Sequence, residues 1–437
     1  MSILIVLMIS VSTVVLSKWI FKKWFNHLLI HTLAWTVFLV LYELKFIRYI
    51  QISNEAFLVF FVTHIGVVSG ALTVYFARDI FRKNLLDIGR VRVHSVLFED
   101  DFKVLKVIIL ITSIIGFYSA YQQWTFLLNK FGSFTTIIIR ANLIYRMRVA
   151  GELEGGIPYL SVLPYAGIVL SGIYTAAKNK ISFYTFLPLV AIIIKDAASV
   201  GRGGIFVGFA MLVTSFFLFR HTVSKHQIAK SISSTKKLVL GSILLFTIVV
   251  TSLTVVIEFR GKYENFKGKT NVFKKWEGIP LVSASTYFYF SSDVGVFSKY
   301  FEKQSENPMI GENTLLPFYN LISKLGLIEH PNFYPRGYNI PNWSNAATYL
   351  KDIHADFGNL GLFLIPYLIS LISTFFWFRF FINGDLIAFT NLTYLYVINA
   401  FSVFSMITRA AFFVMSFLFL LICISFIERY WNRIKMI

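Results

Sequence analysis

KDIHADFGNLGLFLIPYLISLISTFFWF, residues 351–378, joins two kinds of sequence. Lys351, Asp352, His354 and Asp356 crowd its first six positions, whereas Asn359 to Phe378 contains no charged residue. As a helix rising about 1.5 Å per residue, an uncharged run of this length covers the roughly 30 Å hydrocarbon layer of a bilayer. The stretch therefore predicts a membrane span over 359–378 with ionisable side chains gathered at one mouth.

Runs of the same character recur along the chain near 2–17, 28–46, 57–77, 104–124, 158–177, 182–200, 204–220, 238–257, 386–405 and 410–427. With 359–378 they make about eleven spans. Helices are required, because a helix satisfies its own backbone hydrogen bonds where no water can, and the runs are too long and uniformly apolar for barrel strands. Composition agrees: 56% of residues are hydrophobic and only 14% charged, too little polar material to cover a water-soluble globule of 437 residues. The expected fold is all-α, a polytopic integral membrane protein in three parts. These are spans with short loops over 1–257, one large loop over 258–358, and the last three spans with a short tail over 359–437.

The amino terminus, MSILIVLMISVSTVVLSKWIFKKW, is apolar from its start and lacks the basic leader and small-residue cleavage site of a signal peptide, so it reads as a retained first span. The single cysteine, Cys423, lies in an apolar run. An internal disulfide, a thiol pair and a cysteine metal site are thereby excluded.

Lys and Arg concentrate in one alternating set of connections. That set includes Lys18, Lys22 and Lys23, then Arg78, Arg82, Lys83, Arg90 and Arg92, then Arg220, Lys225, Lys230, Lys236 and Lys237, and the tail Arg429, Arg433 and Lys435. The opposite short connections hold fewer. By the positive-inside bias the first set is cytoplasmic, which puts the amino terminus and the 258–358 loop outside and the carboxyl terminus inside. Much of the net charge of +19 is this bias and carries no nucleic-acid footprint.

Basic residues on the outward side need another explanation. RANLIYRMR places Arg140, Arg146 and Arg148 together, and Arg202, Arg260, Arg336 and Arg409 sit in or beside other outward connections. A planar, permanently charged guanidinium binds phosphate or carboxylate in a bidentate way. Any one of them is equally read as an interfacial arginine snorkelling to headgroups; several on one face favour an anionic ligand. In KDAASVGRGGIF, Lys195 and Asp196 can neutralise each other at a span end. Gly201, Gly203 and Gly204 serve either close backbone approach around Arg202 or helix packing.

Within the large loop, LVSASTYFYFSSDVGVFSKYFEK predicts a helix whose Tyr287, Phe288, Tyr289 and Phe290 rest on the membrane surface or on neighbouring spans. ENPMIGENTLLPFYNLISKLG predicts a second, shorter helix, and HPNFYPRGYNIPNWSNAATYLKD an ordered irregular loop. Aromatics with Asn, Asp and Tyr beside them, Tyr349 among them, suit sugar rings as well as an interfacial belt. If KDIHADFG enters its span as a helix, Asp352 and Asp356 share a face, with Lys351 and His354 on adjoining ones. Asp356 then either caps the helix or joins His354 and Asp352 as an acid–base group.

On these features the chain resembles the bacterial O-antigen polymerases (Wzy-type), the oligosaccharide repeat unit polymerase family. The features are about eleven spans, one large outer loop before the last three, the arginine-bearing RANLIYRMRVAGELEGGIPYL, the GRGGIF turn, and DFGNLGLFLIPYL closing the large loop. Arg140 and Gly151 carry the family's spacing of an arginine followed after ten residues by glycine; no arginine of the large loop does. The resemblance implies a metal-independent, cofactor-free glycosyltransferase at the periplasmic face of the inner membrane. It would transfer a glycan from undecaprenyl pyrophosphate to a second lipid-linked repeat unit, with a chain-length regulator protein as a further partner. Arg140, Arg146, Arg148, Arg202, Arg260, Arg409 and Tyr349 would hold pyrophosphate and glycan, and His354, Asp356 or Asp352 would serve the acceptor hydroxyl. An O-antigen ligase shares the donor, and a lipid-linked oligosaccharide flippase or transporter shares the spans and basic outer residues. Against the latter stand the absence of an internal repeat and the size of the outer loop.

Overall fold

A computed structural model describes residues 3–77, 96–98, 100–149, 160–199, 201, 203–220, 284–303, 306, 308–331 and 336–434. The protein is all-α and multi-pass in character: among these residues, seven helices are long and apolar enough to cross a bilayer. Each expected span coincides with a helix except 238–257, which lies outside the described residues. The helices over 27–43, 183–198 and 386–401 are shorter than the runs that predicted them.

The chain divides into two compact units, Met1–Lys83, Glu264–Phe378 and Leu395–Val414 forming one, and Asn84–Tyr263, Arg379–Tyr394 and Met415–Ile437 the other. The first unit opens with α1 (Ile3–Phe21), α2 (His27–Glu43) and α3 (Asn54–Phe76). Asn26 and Ser53 cap α2 and α3, accepting from the N–H groups of Leu29 and Ala56. Along one face of α3, Thr63, Gly66, Gly70 and Thr73 meet the helix that begins at Tyr349. A side chain at Gly66 or Gly70 would strike the backbone oxygens of Phe363 and Tyr367. Thr63 donates to the Leu362 carbonyl and Tyr367 donates to Thr73. Lipid gives spans no hydrophobic reason to associate, so small residues and short polar contacts supply the attraction.

The second unit contains α4 (Lys103–Phe131), α5 (Phe134–Ile139), α6 (Ala141–Val149), α7 (Leu163–Lys178), α8 (Phe183–Ala198) and α9 (Gly203–Arg220). Helix α7 is buried on every side from Leu163 to Ala176, the pattern of a helix enclosed by others. Gly116 of α4 admits Pro164, and Gly172 admits Ser215 of α9.

The described part of the large loop belongs to the first unit. The helix predicted from LVSASTYFYF breaks at Ser292 into α10 (Ala284–Ser291) and α11 (Asp293–Lys303). Its aromatics rest on the α2–α3 connection: Phe288 is in the core, Tyr287 stacks on Phe46, and Tyr49 bonds Ser291. After α12 (Leu316–Lys324), the irregular loop carries one small hairpin, β1 (Tyr338–Asn339) against antiparallel β2 (Trp343–Ser344). Helix α13 (Tyr349–Asn383) follows, then α14 (Leu386–Phe401), the short turn Ile407–Arg409 and α15 (Ala411–Ile434). Within α13, Gly358 adopts φ 63°, ψ −158°, a conformation essentially confined to glycine. It divides a charged helical segment, 349–357, from the apolar span beyond.

Candidate functional site

The 349–357 segment of α13 buries charge on two faces. On one, Asp352 and Asp356 lie a turn apart, where like charges repel unless each finds a partner. Asp352 accepts from Arg409 Nη1 at 2.6 Å and, at 3.4 Å, from the Met406 N–H. Asp356 accepts from the N–H groups of Asn313 and Thr314 at 3.0 and 2.7 Å and from Asn313 Nδ2 at 2.9 Å. Asn313 links the two carboxylates, since its Oδ1 accepts from the same Arg409 Nη1 at 2.5 Å. Thr408 closes the cluster by donating to the Thr314 carbonyl at 2.6 Å. Gly311, at φ +82°, supplies the left-handed turn that presents two successive N–H groups to Asp356. The side chains of Arg409 and Asp352 are 12% and 9% exposed. Charges this enclosed are costly unless paired.

On the adjoining face Lys351 is 1% exposed. Its ammonium meets Glu306 at 2.8 Å, donates to the Arg336 carbonyl at 3.1 Å and lies over the rings of Tyr300 and Tyr338. His354 is half-buried beside Tyr300 and Phe301. Asn359 Oδ1, 3.2 Å from His354 Nε2, can only accept, so Nε2 carries the proton of the neutral ring. Nδ1 then accepts from the Tyr300 hydroxyl at 3.0 Å. Burial raises the Tyr300 phenol above its ordinary value, which keeps that donor protonated.

Arg409, Asp352, Asp356 and His354 thus share one mouth of α13, whereas other expected residues lie elsewhere. Tyr349 is 2% exposed in the core, its ring near Trp35 and its N–H bonded to the Ser402 carbonyl. Arg140 and Arg146 are exposed, and they belong to the second unit. Arg140 follows α5, and Arg146 is on α6, whose Ala141, Ile144 and Met147 turn inward. Arg148 is on α6; its side chain, Arg202 and Arg260 lie outside the described residues. In the glycine turn, a side chain at Gly204 would strike Tyr165 and Asp196, and Asp196 accepts from the Ile205 N–H at 3.2 Å. Gly204 therefore serves helix packing, the alternative weighed for these glycines. Lys195 reaches the Ser161 carbonyl at 3.5 Å.

Asn313, Thr314, Tyr300, Glu306 and Asn359 had not been singled out from sequence. Only the GENT turn, a glycine shortly before polar residues, carried a local signal. A second polar cluster also escaped notice. His31 and His64 stack with ring centroids 6.1 Å apart beside a cavity of about 50 Å³ among α1, α2 and α3, which Ser10, Thr32, Thr36 and Thr63 also line. Thr13 bonds His64 Nε2 at 2.8 Å.

No protein-family model matches the chain, and no curated protein or solved structure is significantly similar to it.

Proposed function

We propose that the protein is a glycosyltransferase of the bacterial inner membrane, with its amino terminus and active site periplasmic and its carboxyl terminus cytoplasmic. It polymerises undecaprenyl pyrophosphate-linked oligosaccharide repeat units into O-antigen or a related surface polysaccharide. The observation that carries this reading is the enclosed Asp352–Arg409–Asn313–Asp356 cluster with His354 beside it at the mouth of α13. In the reaction, the acceptor hydroxyl oxygen bonds to the donor's anomeric carbon as the bond from that carbon to pyrophosphate breaks. The departing anion needs preorganised positive charge, for which Arg409 is suited because Asp352 and Asn313 already orient its guanidinium. The acceptor's proton needs a base. His354, half-buried at the mouth, is the base assigned to it, its ring held by the Tyr300 hydroxyl and by Asn359.

The test is glycan length on gels of surface polysaccharide from a deletion strain. It is complemented with wild type, Arg409→Lys, Tyr300→Phe or His354→Ala, with membrane levels checked by blotting. Deletion should leave core bearing a single repeat, wild type should restore the ladder, and each variant should be present yet unable to extend chains. Loss of even the single capped repeat on deletion sinks the polymerase reading in favour of the ligase or flippase.

A transporter is the second reading, favoured by the His31–His64 cavity, because ionisable residues inside spans commonly mark ion or substrate paths. His31→Ala and His64→Ala separate the two: a polymerase retains its ladder when the cavity loses these rings.

A further inference from the structure

Helix α12 wears its apolar residues on the outside. Leu316 at its start is fully buried, whereas Phe318, Leu321 and Leu325, the last of these capping its end, are exposed at 44%, 53% and 68%. Spaced three and four apart, these three form a single stripe. Ile310, Leu315 and Leu327 extend the exposed apolar surface on either side. A helix facing water would show the reverse pattern.

Two tethers set where this surface sits. The turn leading into α12 is bonded through Asn313 and Thr314 to Asp356, two residues before Gly358. Beyond that glycine, Leu360, Leu364, Leu368 and Ile372 are exposed at four-residue intervals along α13, the stripe of a span that faces lipid. Thr408, bonded to Thr314, stands just before Ala411, where the apolar α15 begins. The start of helix α12 is therefore held at the level where two spans leave the hydrocarbon layer, and its exposed stripe lies outside the packed core there.

We propose that α12 is an interfacial helix, lying along the membrane with Phe318, Leu321 and Leu325 inserted into the acyl region of the adjoining leaflet. The bilayer is the occupant because the turn that opens α12 is bonded to the ends of two apolar spans, at Asp356 and Thr408, so the exposed apolar residues stand at the membrane boundary. The proposal needs only a membrane-spanning chain and does not rest on the polymerase reading. It places the Asp352–Arg409 cluster beside lipid, where a lipid-anchored molecule arrives sideways.

The single cysteine makes the test direct. In a Cys423→Ser background, full-length protein carrying Phe318→Cys, Leu321→Cys, Leu325→Cys or, on the polar side, Ser323→Cys is spin-labelled. It is then reconstituted into vesicles of phosphatidylethanolamine and phosphatidylglycerol, and power saturation reads access to oxygen and to a water-soluble nickel chelate. Labels at 318, 321 and 325 should favour oxygen several-fold, while the label at 323 favours nickel or is shielded from both. Nickel access exceeding oxygen access along the stripe would place it in water and overturn the proposal. Low access to both would place it under protein, a second copy or another chain, and overturn it equally. Should labelling near the start of α12 disturb folding, seen as altered gel-filtration behaviour, Leu325→Cys alone decides, being the most exposed of the three.

Discussion

Two aspartates, each held by basic side chains, differ in what their charges mean. Asp352 draws Arg409 from 57 residues away, and the pair is almost sealed from solvent. Asp101, just before α4, binds Lys106 and Lys178, yet its side chain is 66% exposed. Water and salt screen the second cluster, so its partners add little to the fold. The first has surrendered its hydration, and each charge depends on the other. An ion pair is informative about function or architecture to the extent that it is enclosed.

The comparison breaks most readily at the enclosed pair. Asp352→Ala strands the Arg409 guanidinium and should cost about 3–5 kcal/mol, a large share of the ~5–15 kcal/mol that holds a typical domain together. Heated detergent-purified protein, followed by gel filtration, should lose its folded peak many degrees below wild type. Combining Asp352→Leu with Arg409→Met should cost less than the two single changes summed, because no charge is left stranded. Plain additivity would mean that the two charges do not depend on each other. Lys351→Met ranks next. It keeps the aliphatic stem among Tyr300 and Tyr338 but removes the ion pair with Glu306 and the hydrogen bond to the Arg336 carbonyl, at a cost of about 1.5–3 kcal/mol for a hydrogen bond from a charged group. The same melting assay checks it, and an unshifted midpoint would mark Lys351 as a passenger.

The spans were legible in sequence because lipid imposes a length and a polarity that no other environment does. Every expected run among the described residues became a helix. The charged mouth of α13 was legible as a cluster for the same reason, since charge beside hydrocarbon stands out. Its partners were not. Asn313 and Arg409 are separated by 96 residues, and neither carries a local pattern that points to the other. Lys351 reads from sequence as one more charge at the mouth of the span and is enclosed instead, because Tyr300 of α11 and the later residues Glu306, Arg336 and Tyr338 gather around it. Tyr349 looked like a sugar platform by composition, yet the helix that begins with it turns its ring toward Trp35. Periodicity shows which residues share a face; only tertiary packing decides what that face meets.

A smaller effect tests whether Asp356 belongs with the enclosed charges or serves merely as a cap. Asp356→Asn retains one acceptor oxygen for the Asn313 and Thr314 N–H groups but turns a donor toward the other, and it should cost about 1–2 kcal/mol. If the protein extends glycans as proposed, a capping role predicts lower melting with the glycan ladder intact. A role in the cluster predicts a shortened ladder at unchanged protein level, since Asn313 would no longer be fixed against Arg409.

The smallest effect is expected at Asp101. Hydrogen bonds from Lys106 and then Lys178 hold its carboxyl down at about 2. A depressed carboxyl stabilises the fold above the ordinary aspartate range and loses that contribution as pH falls toward 2. At neutral pH the contribution is fully present, yet exposure and salt leave it slight. Asp101→Asn should therefore leave the melting midpoint unchanged at physiological ionic strength, and lowering the salt should reveal at most a small decrease. A loss comparable to that of Asp352→Ala would show that Asp101 is enclosed in the membrane-embedded protein, and the contrast between the two aspartates would vanish.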